Sequence, residues 1–440
     1  MSPLRLLLDI LVAAACVIAA TKIRHPAASE LRPWLLIGVV VLASLMLLRA
    51  QTWRGWRPRG WREWPTVAPF ALAIAALAIA ATVEGRFQFA RLSVARAQPS
   101  EIERLGRHFI VGYRDPGFVR DLVERRAIAG IFLTRRNVSG RDAATIARDI
   151  RDLQDIRARQ GLPPLWIATD QEGGNVSRLS PPLERQPSLA AMIRKAADAP
   201  SRQAAVTDYA LKQAQGLASI GVNLNFAPVV DLDFGIRSPN DDLTRISERS
   251  ISADAAIVSE VAGRYCETLA SQGVHCTLKH FPGLGRVLDD THRNEGLLNA
   301  SLEELERADW IPFRALLGRT DSVLMVGHVR LPALDPSQPV STSQRVISGL
   351  VRDAWRYNGV IVSDDLCMDA VFSAPGGIAQ ASLRALNAGA DLLLVSWDGE
   401  QIYPVLASLL KAQAALDSDM LERSARRLQD AQSRLRLPAP

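Results

Sequence analysis

Two kinds of hydrophobic patterning divide the chain. Over residues 1–95 the apolar runs are long. Residues 4–20 are apolar apart from Arg5 and Asp9, residues 34–48 carry no charge, and residues 65–83 form a third run rich in Ala, Leu and Ile. Each approaches the ~17–25 residues that span a bilayer as a helix, so the pattern predicts about three transmembrane helices. From about Ala97 the runs shorten and recur: "HFIVGY" (108–113), "AGIFLT" (129–134), "LWIATD" (165–170), "VNLNFAP" (222–228), "VHCTLKH" (274–280), "SVLMVGH" (322–328), "GVIVSD" (359–364) and "ADLLLVS" (390–396). Between most of them lie stretches with helical spacing, such as 204–220 and 254–272.

Continuous rather than alternating hydrophobicity marks parallel strands covered on both faces. Eight such strands alternating with helices predict an α/β fold, a (β/α)8 barrel over residues 96–440, preceded by the membrane region 1–95. Chemistry in such a barrel sits at the carboxyl ends of the strands. Those ends carry Asp170, Lys279 with His280, His328 and Asp364. One Asp after a strand is ordinarily a helix cap, but four strands ending in polar or ionisable groups on one face are hard to explain as independent caps.

Charge refines the picture of the first region. The net charge of +6 comes from Arg spread along the barrel region, which argues against a nucleic-acid partner, and from a cluster at Arg49, Arg54, Arg57, Arg59 and Arg62. That cluster lies between two apolar runs. Positive-inside bias assigns it to the cytoplasm, so the chain after Glu84 is expected outside the cytoplasmic membrane, with the bilayer itself as a partner. A rival reading makes the first run a signal peptide ending in "VAAAC", with Cys16 as a lipid-anchored cysteine. Asp9 is costly in a span unless it faces protein or lies near an interface. Cys266, Cys276 and Cys367 have no metal-ligand spacing, and their odd number argues against a disulfide framework. They read as small buried hydrophobes.

The stretch "TLKHFPGLGRVLDDTH" (277–292) places Lys279, His280, Asp290 and His292 on a strand end and a glycine-bearing loop. Together with "ATDQEGGNVSRL", "NFAPVVDLD", "SERS" and "VSDDLCMDAV", in this order, it resembles the family 3 glycoside hydrolases, in particular the single-domain β-N-acetylglucosaminidases (NagZ-like). The likeness covers about residues 105–400.

The resemblance implies a retaining exo-acting glycosidase that takes terminal N-acetylglucosamine (GlcNAc) from peptidoglycan fragments or related glycans. Asp364 matches the family nucleophile. His292 matches the general acid/base, with Asp290 as its dyad partner. Asp170, Arg178, Arg249, Lys279 and His280 match the residues that grip the sugar. Gly283 and Gly285 would let the dyad loop swing, and Gly173 and Gly174 would keep their loop close to the sugar. Leu284 and Asn175 depart from the family pattern, which commonly has His and Arg there. Asp365, one residue beyond Asp364, is expected to cap the following helix. No metal or cofactor is implied. Two other readings share these residues: a phosphorylase on the same scaffold, and a membrane sensor that binds glycan without cleaving it.

Overall fold

The computed structural model describes residues 3–51, 64–238, 241–319 and 321–435. Two compact units divide the chain, Met1–Arg96 and Ala97–Pro440.

In the first unit the three apolar runs are helices α1 (Pro3–Lys22), α2 (Arg32–Gln51) and α3 (Trp64–Arg96). All three are long and apolar enough to cross a membrane. Ala13, Ala43 and Ala73 are fully buried where the helices meet, as expected when small side chains let backbones approach. Several charges within the bundle are partnered. Asp9 lies 3.7 Å from Arg49, and Arg24 pairs with Glu84 at 2.6 Å while lying over the Phe87 ring. Cys16 sits mid-way along α1, packed with Ala20, Val39 and Ala76. Of the arginine cluster, Arg54, Arg57, Arg59 and Arg62 lie outside the described residues.

In the second unit all eight short runs are strands: β1 (Phe109–Gly112), β2 (Gly130–Leu133), β3 (Trp166–Thr169), β4 (Leu224–Asn225), β5 (Thr277–Phe281), β6 (Val323–Val326), β7 (Ile361–Asp365) and β8 (Leu392–Val395). They are parallel, in the order β4-β3-β2-β1-β8-β7-β6-β5. Parallel bridges from Leu224 to His275 and from Val229 to Lys279 join β4 to the β5 region and close the ring. Inward side chains from around the ring, among them Ile110, Phe132, Trp166, Leu224, Met325, Val362 and Leu394, fill the barrel as one core. Helices cover the outside, and their starts are set by side-chain caps. Asp254, for example, accepts from the amides of Ala256 and Ile257 to open Ala255–Ser271.

At the amino-terminal end of β8, Asp391 is fully buried between Arg352 (2.5 Å) and Arg427 (2.9 Å) and accepts the Ile361 amide. This clamp is on the amino-terminal face of the barrel, where such residues serve stability. One expectation fails: Cys266 and Cys276 form a disulfide. The helix Ala255–Ser271 turns through Gly273 straight into β5, which brings the two Cα atoms to 5.3 Å, well within bridging range. The odd cysteine is Cys367, buried and free.

Candidate active site

The pocket floor begins where β3 ends. Asp170 leaves the strand, and a short hairpin, Gln171–Gly173 paired with Val176–Ser177, follows at once. Gly173 has φ +91, and a Cβ there would collide with the Tyr209 hydroxyl and the Pro187 carbonyl, so only glycine lets the hairpin pack down. Its close approach is therefore to protein. The hairpin turns Glu172 inward. This carboxylate, 8% exposed, takes a bidentate contact from Arg249 at 2.7 and 3.0 Å and a third from Lys279 Nζ at 2.7 Å. Lys279 also meets Asp170 at 2.7 Å. Burial pushes the Glu172 pKa up, but the two cations outweigh it and hold the carboxyl well below its usual range.

His280, beside Lys279 on β5, has Nδ1 2.8 Å from Asp231 and Nε2 3.3 Å from Arg249. Asp231 also accepts the amides of His280 and Leu284, so it fixes both the ring and the first turn of the loop after β5. Gly285 in that turn lies against the Leu232 carbonyl, where no side chain fits. Both Gly283 and Gly285 are buried; Gly285 serves packing, while Gly283 takes φ +111, a backbone angle that favours glycine. Leu284 is buried beside them, 2% exposed.

The loop then delivers the dyad. Asp290 is 1% exposed, and its Oδ1 lies 3.2 Å from His292 Nδ1. It also accepts from the His292 amide (3.0 Å), the Leu243 amide (3.1 Å) and the Thr244 hydroxyl (3.0 Å). Burial raises its pKa, but these donors and the imidazole charge bring it below the usual value.

Thr244 Oγ1 also accepts the Thr291 amide at 3.2 Å and sits 3.1 Å from His292 Nδ1. Counting protons settles the roles. A carboxylate only accepts, so the single Thr244 hydroxyl hydrogen goes to Asp290, and the Nδ1 hydrogen of His292 is shared between Asp290 and Thr244. That leaves Nε2 to exchange a proton with a substrate, and the His292 side chain is 39% exposed, open enough to reach one.

Across the rim, Asp364 on β7 is held below its normal pKa. Burial works against this, but the electrostatic pull of His280 and His292, with the Asp365 amide on its Oδ1 at 2.8 Å, prevails. A carboxylate so placed is ionised at neutral pH and suited to attack carbon. His328 Nε2 donates to the Asp365 carbonyl at 3.2 Å, so its Nδ1 accepts from Ser341 at 2.8 Å. Burial keeps this histidine's pKa low. Asp365 does not cap a helix. Its two oxygens accept from the Cys367, Ser396 and Trp397 amides and the Ser396 hydroxyl, tying the loop after β7 to that after β8. The next helix, Asp369–Phe372, begins later.

Of the residues singled out from sequence, Asp170, Arg249, Lys279, His280, Asp290, His292 and Asp364 gather on this rim through the contacts above. Arg178 is exposed, and its side chain makes no hydrogen bond among the described residues. Asn175 reaches Glu248 at 3.3 Å, and Arg249 pairs with Glu172 instead of its neighbour Glu248. Glu172, Asp231 and Thr244 escaped the sequence reading. Glu172 lies inside the quoted motif "DQEGG", and a carboxylate two residues after a strand-end Asp was the available signal. Among the described residues no cluster of three or more His, Cys, Asp or Glu is placed to hold a metal ion.

Comparison with known proteins fits this geometry. A β-hexosaminidase of Xanthomonas oryzae pv. oryzae is 36% identical over 277 residues, covering 63% of this chain and 78% of that protein. The β-hexosaminidase LpqI of Mycobacterium tuberculosis is 34% identical over 302 residues, 66% of this chain and 72% of LpqI. Among solved structures, a family 3 β-N-acetylglucosaminidase from Paenibacillus sp. str. FPU-7 superposes with TM-score 0.69 at 30% identity, covering 77% of this chain and 63% of that one. M. tuberculosis LpqI superposes with TM-score 0.67 at 30% identity, covering 79% and 96%. The model for the glycosyl hydrolase family 3 N-terminal domain matches residues 102–431, three-quarters of the sequence and the whole barrel with its catalytic rim, and the chain therefore belongs to glycosyl hydrolase family 3.

Proposed function

We propose that this glycoside hydrolase is a retaining exo-β-N-acetylglucosaminidase acting on terminal GlcNAc of peptidoglycan fragments or related glycans. The observation that carries the reading is the Asp290–His292 contact at 3.2 Å, with Nε2 left for chemistry, on the same rim as the ionised Asp364. In the first step the Asp364 carboxylate attacks the anomeric carbon while His292 Nε2 donates its proton to the departing oxygen. The carbon–carboxylate bond forms as the glycosidic bond breaks. In the second step Nε2 takes a proton from water, which attacks the same carbon and releases Asp364. Asp170, Lys279, His280, Arg249 and the free Arg178 hold the sugar hydroxyls. The names of the relatives support hydrolysis over phosphorolysis, and a binding-only sensor has no need of the dyad.

The same proposal sets the barrel outside the cytoplasm, tethered by three spans with Arg49 and the following arginines inside. The Cys266–Cys276 disulfide supports it independently, because such bonds persist in oxidising compartments. Release of 4-nitrophenol from its GlcNAc β-glycoside tests the chemistry, and a rate that depends on added inorganic phosphate would reassign the enzyme to phosphorolysis. Reporter fusions test the topology. A periplasm-active reporter after residue 96 should give signal and one near Arg57 none; the reverse pattern would move the enzyme inside.

A further inference from the structure

Resting on that glycosidase reading, we propose that Trp397 is the stacking platform of a leaving-group subsite, which receives a second pyranose ring linked to the GlcNAc being released. Trp397 follows β8 directly, on the catalytic face of the barrel. Its indole is 50% exposed, and among the described residues of the second unit it is the one exposed aromatic ring. A flat apolar ring on this face offers a surface on which a ligand can pack.

Its position is fixed on two sides. The Trp397 amide donates to Asp365 Oδ2 at 3.0 Å, and Ser396 adds its amide and hydroxyl at 2.9 and 2.6 Å to the same carboxylate. The Asp365 amide in turn donates to the nucleophile Asp364 at 2.8 Å. Two hydrogen bonds therefore connect the backbone of the exposed tryptophan to the reacting carboxylate. On the other side Arg136, beyond β2, donates to the Trp397 carbonyl at 3.0 Å and sets its guanidinium carbon 5.3 Å from the ring centre. A cation at that distance restrains the indole.

Pyranose rings carry an apolar face of axial C–H groups that packs on indole, whereas an alkyl or peptidyl leaving group gains less from a flat ring. The preferred substrate is then a β-linked GlcNAc disaccharide or longer glycan rather than a GlcNAc carried directly on protein or lipid.

The test uses the full chain and two substrates: chitobiose, whose leaving group is a pyranose, and trifluoroethyl β-N-acetylglucosaminide, whose leaving group has no ring. Trp397→Ala should lower kcat/KM on chitobiose about tenfold, in line with the loss of one ring contact, and leave the trifluoroethyl glycoside within about twofold. Trp397→Phe should restore most of the chitobiose activity. Equal loss on both substrates, or none on either, overturns the subsite while the hydrolase reading stands. If the wild-type chain cleaves neither substrate, the glycosidase reading fails and the subsite falls with it.

Discussion

Replacing Glu172 by Gln removes the charge at the centre of the pocket floor while keeping its volume. The carboxylate accepts from Arg249 at 2.7 and 3.0 Å and from Lys279 at 2.7 Å, and the amide would turn a donor toward one of those cations. Removing one member of a buried ion pair costs ~3–5 kcal/mol. The low end applies, because the amide oxygen still accepts one bond and Lys279 keeps Asp170 at 2.7 Å. A loss of about 3 kcal/mol corresponds to a fall of roughly 4 °C in the melting midpoint of a barrel of this size. The sign with pH follows from the depressed Glu172 pKa. Its stabilisation is fully present above the unfolded carboxyl value and is lost only as pH falls through the lower folded one. The gap between wild type and variant should thus be constant from about pH 6 upward and close in acid. Near-ultraviolet circular dichroism of the full chain in detergent reads the barrel through its buried Trp166 and Trp310. Turnover should fall about a hundredfold in kcat/KM as Arg249 and Lys279 shift. An unchanged midpoint together with unchanged kinetics would refute the claim that Glu172 braces the pocket.

Thr244→Val should lower kcat about tenfold with little change in KM and shift the pH–rate profile, because the dyad loses a donor to Asp290, while Thr244→Ser should restore both; a Ser variant as impaired as Val would point to packing instead. Asp364→Asn should abolish turnover with the fold intact, whereas Asp365→Asn should keep the nucleophile but cost about 1 kcal/mol by spoiling partly buried hydrogen bonds; a fluorosugar inactivator whose label maps to Asp365 would reverse these roles. His108, fully buried against the Asp391 carbonyl, has its pKa lowered by burial from 6.5 to about 4. Its contribution is present above the unfolded value and lost as pH falls through that window, on the order of 3 kcal/mol, so His108→Gln should flatten the acid side of the stability curve relative to wild type.

All eight barrel strands were legible because burial on both faces writes them as unbroken apolar runs, and the residue at each strand's end then points at the rim. The partners of those residues were far less legible. Arg249 meets Glu172 across 77 residues and Thr244 meets Asp290 across 46, and no local pattern encodes such pairings. Periodicity told of Asp365 only that it follows a strand, since its partners Ser396 and Trp397 arrive from the neighbouring strand of the ring. The disulfide was hidden by counting. Three cysteines suggested none was bridged, yet the turn at Gly273 brings two of them together and leaves the third alone. Gly285, which the resemblance placed in a swinging loop, is a packing site in three dimensions, because it faces a backbone carbonyl that only the fold supplies.

The short segment from Asp241 to Ser250 has a double attachment. At one end Thr244 holds the proton-transfer dyad; at the other Arg249 grips Glu172 and returns a hydrogen bond to the Thr244 carbonyl at 2.8 Å. On the proposed reading, in which Arg249 holds the sugar and His292 moves the proton, recognition and proton delivery hang from one bracket. On that reading a sugar that tugs on the arginine would be felt at the imidazole, and a poorly fitting one would leave the imidazole misaligned. Discrimination among glycosides would then show itself in turnover as much as in affinity, and inhibitors that merely fill the pocket would bind less tightly than ones that draw the arginine inward.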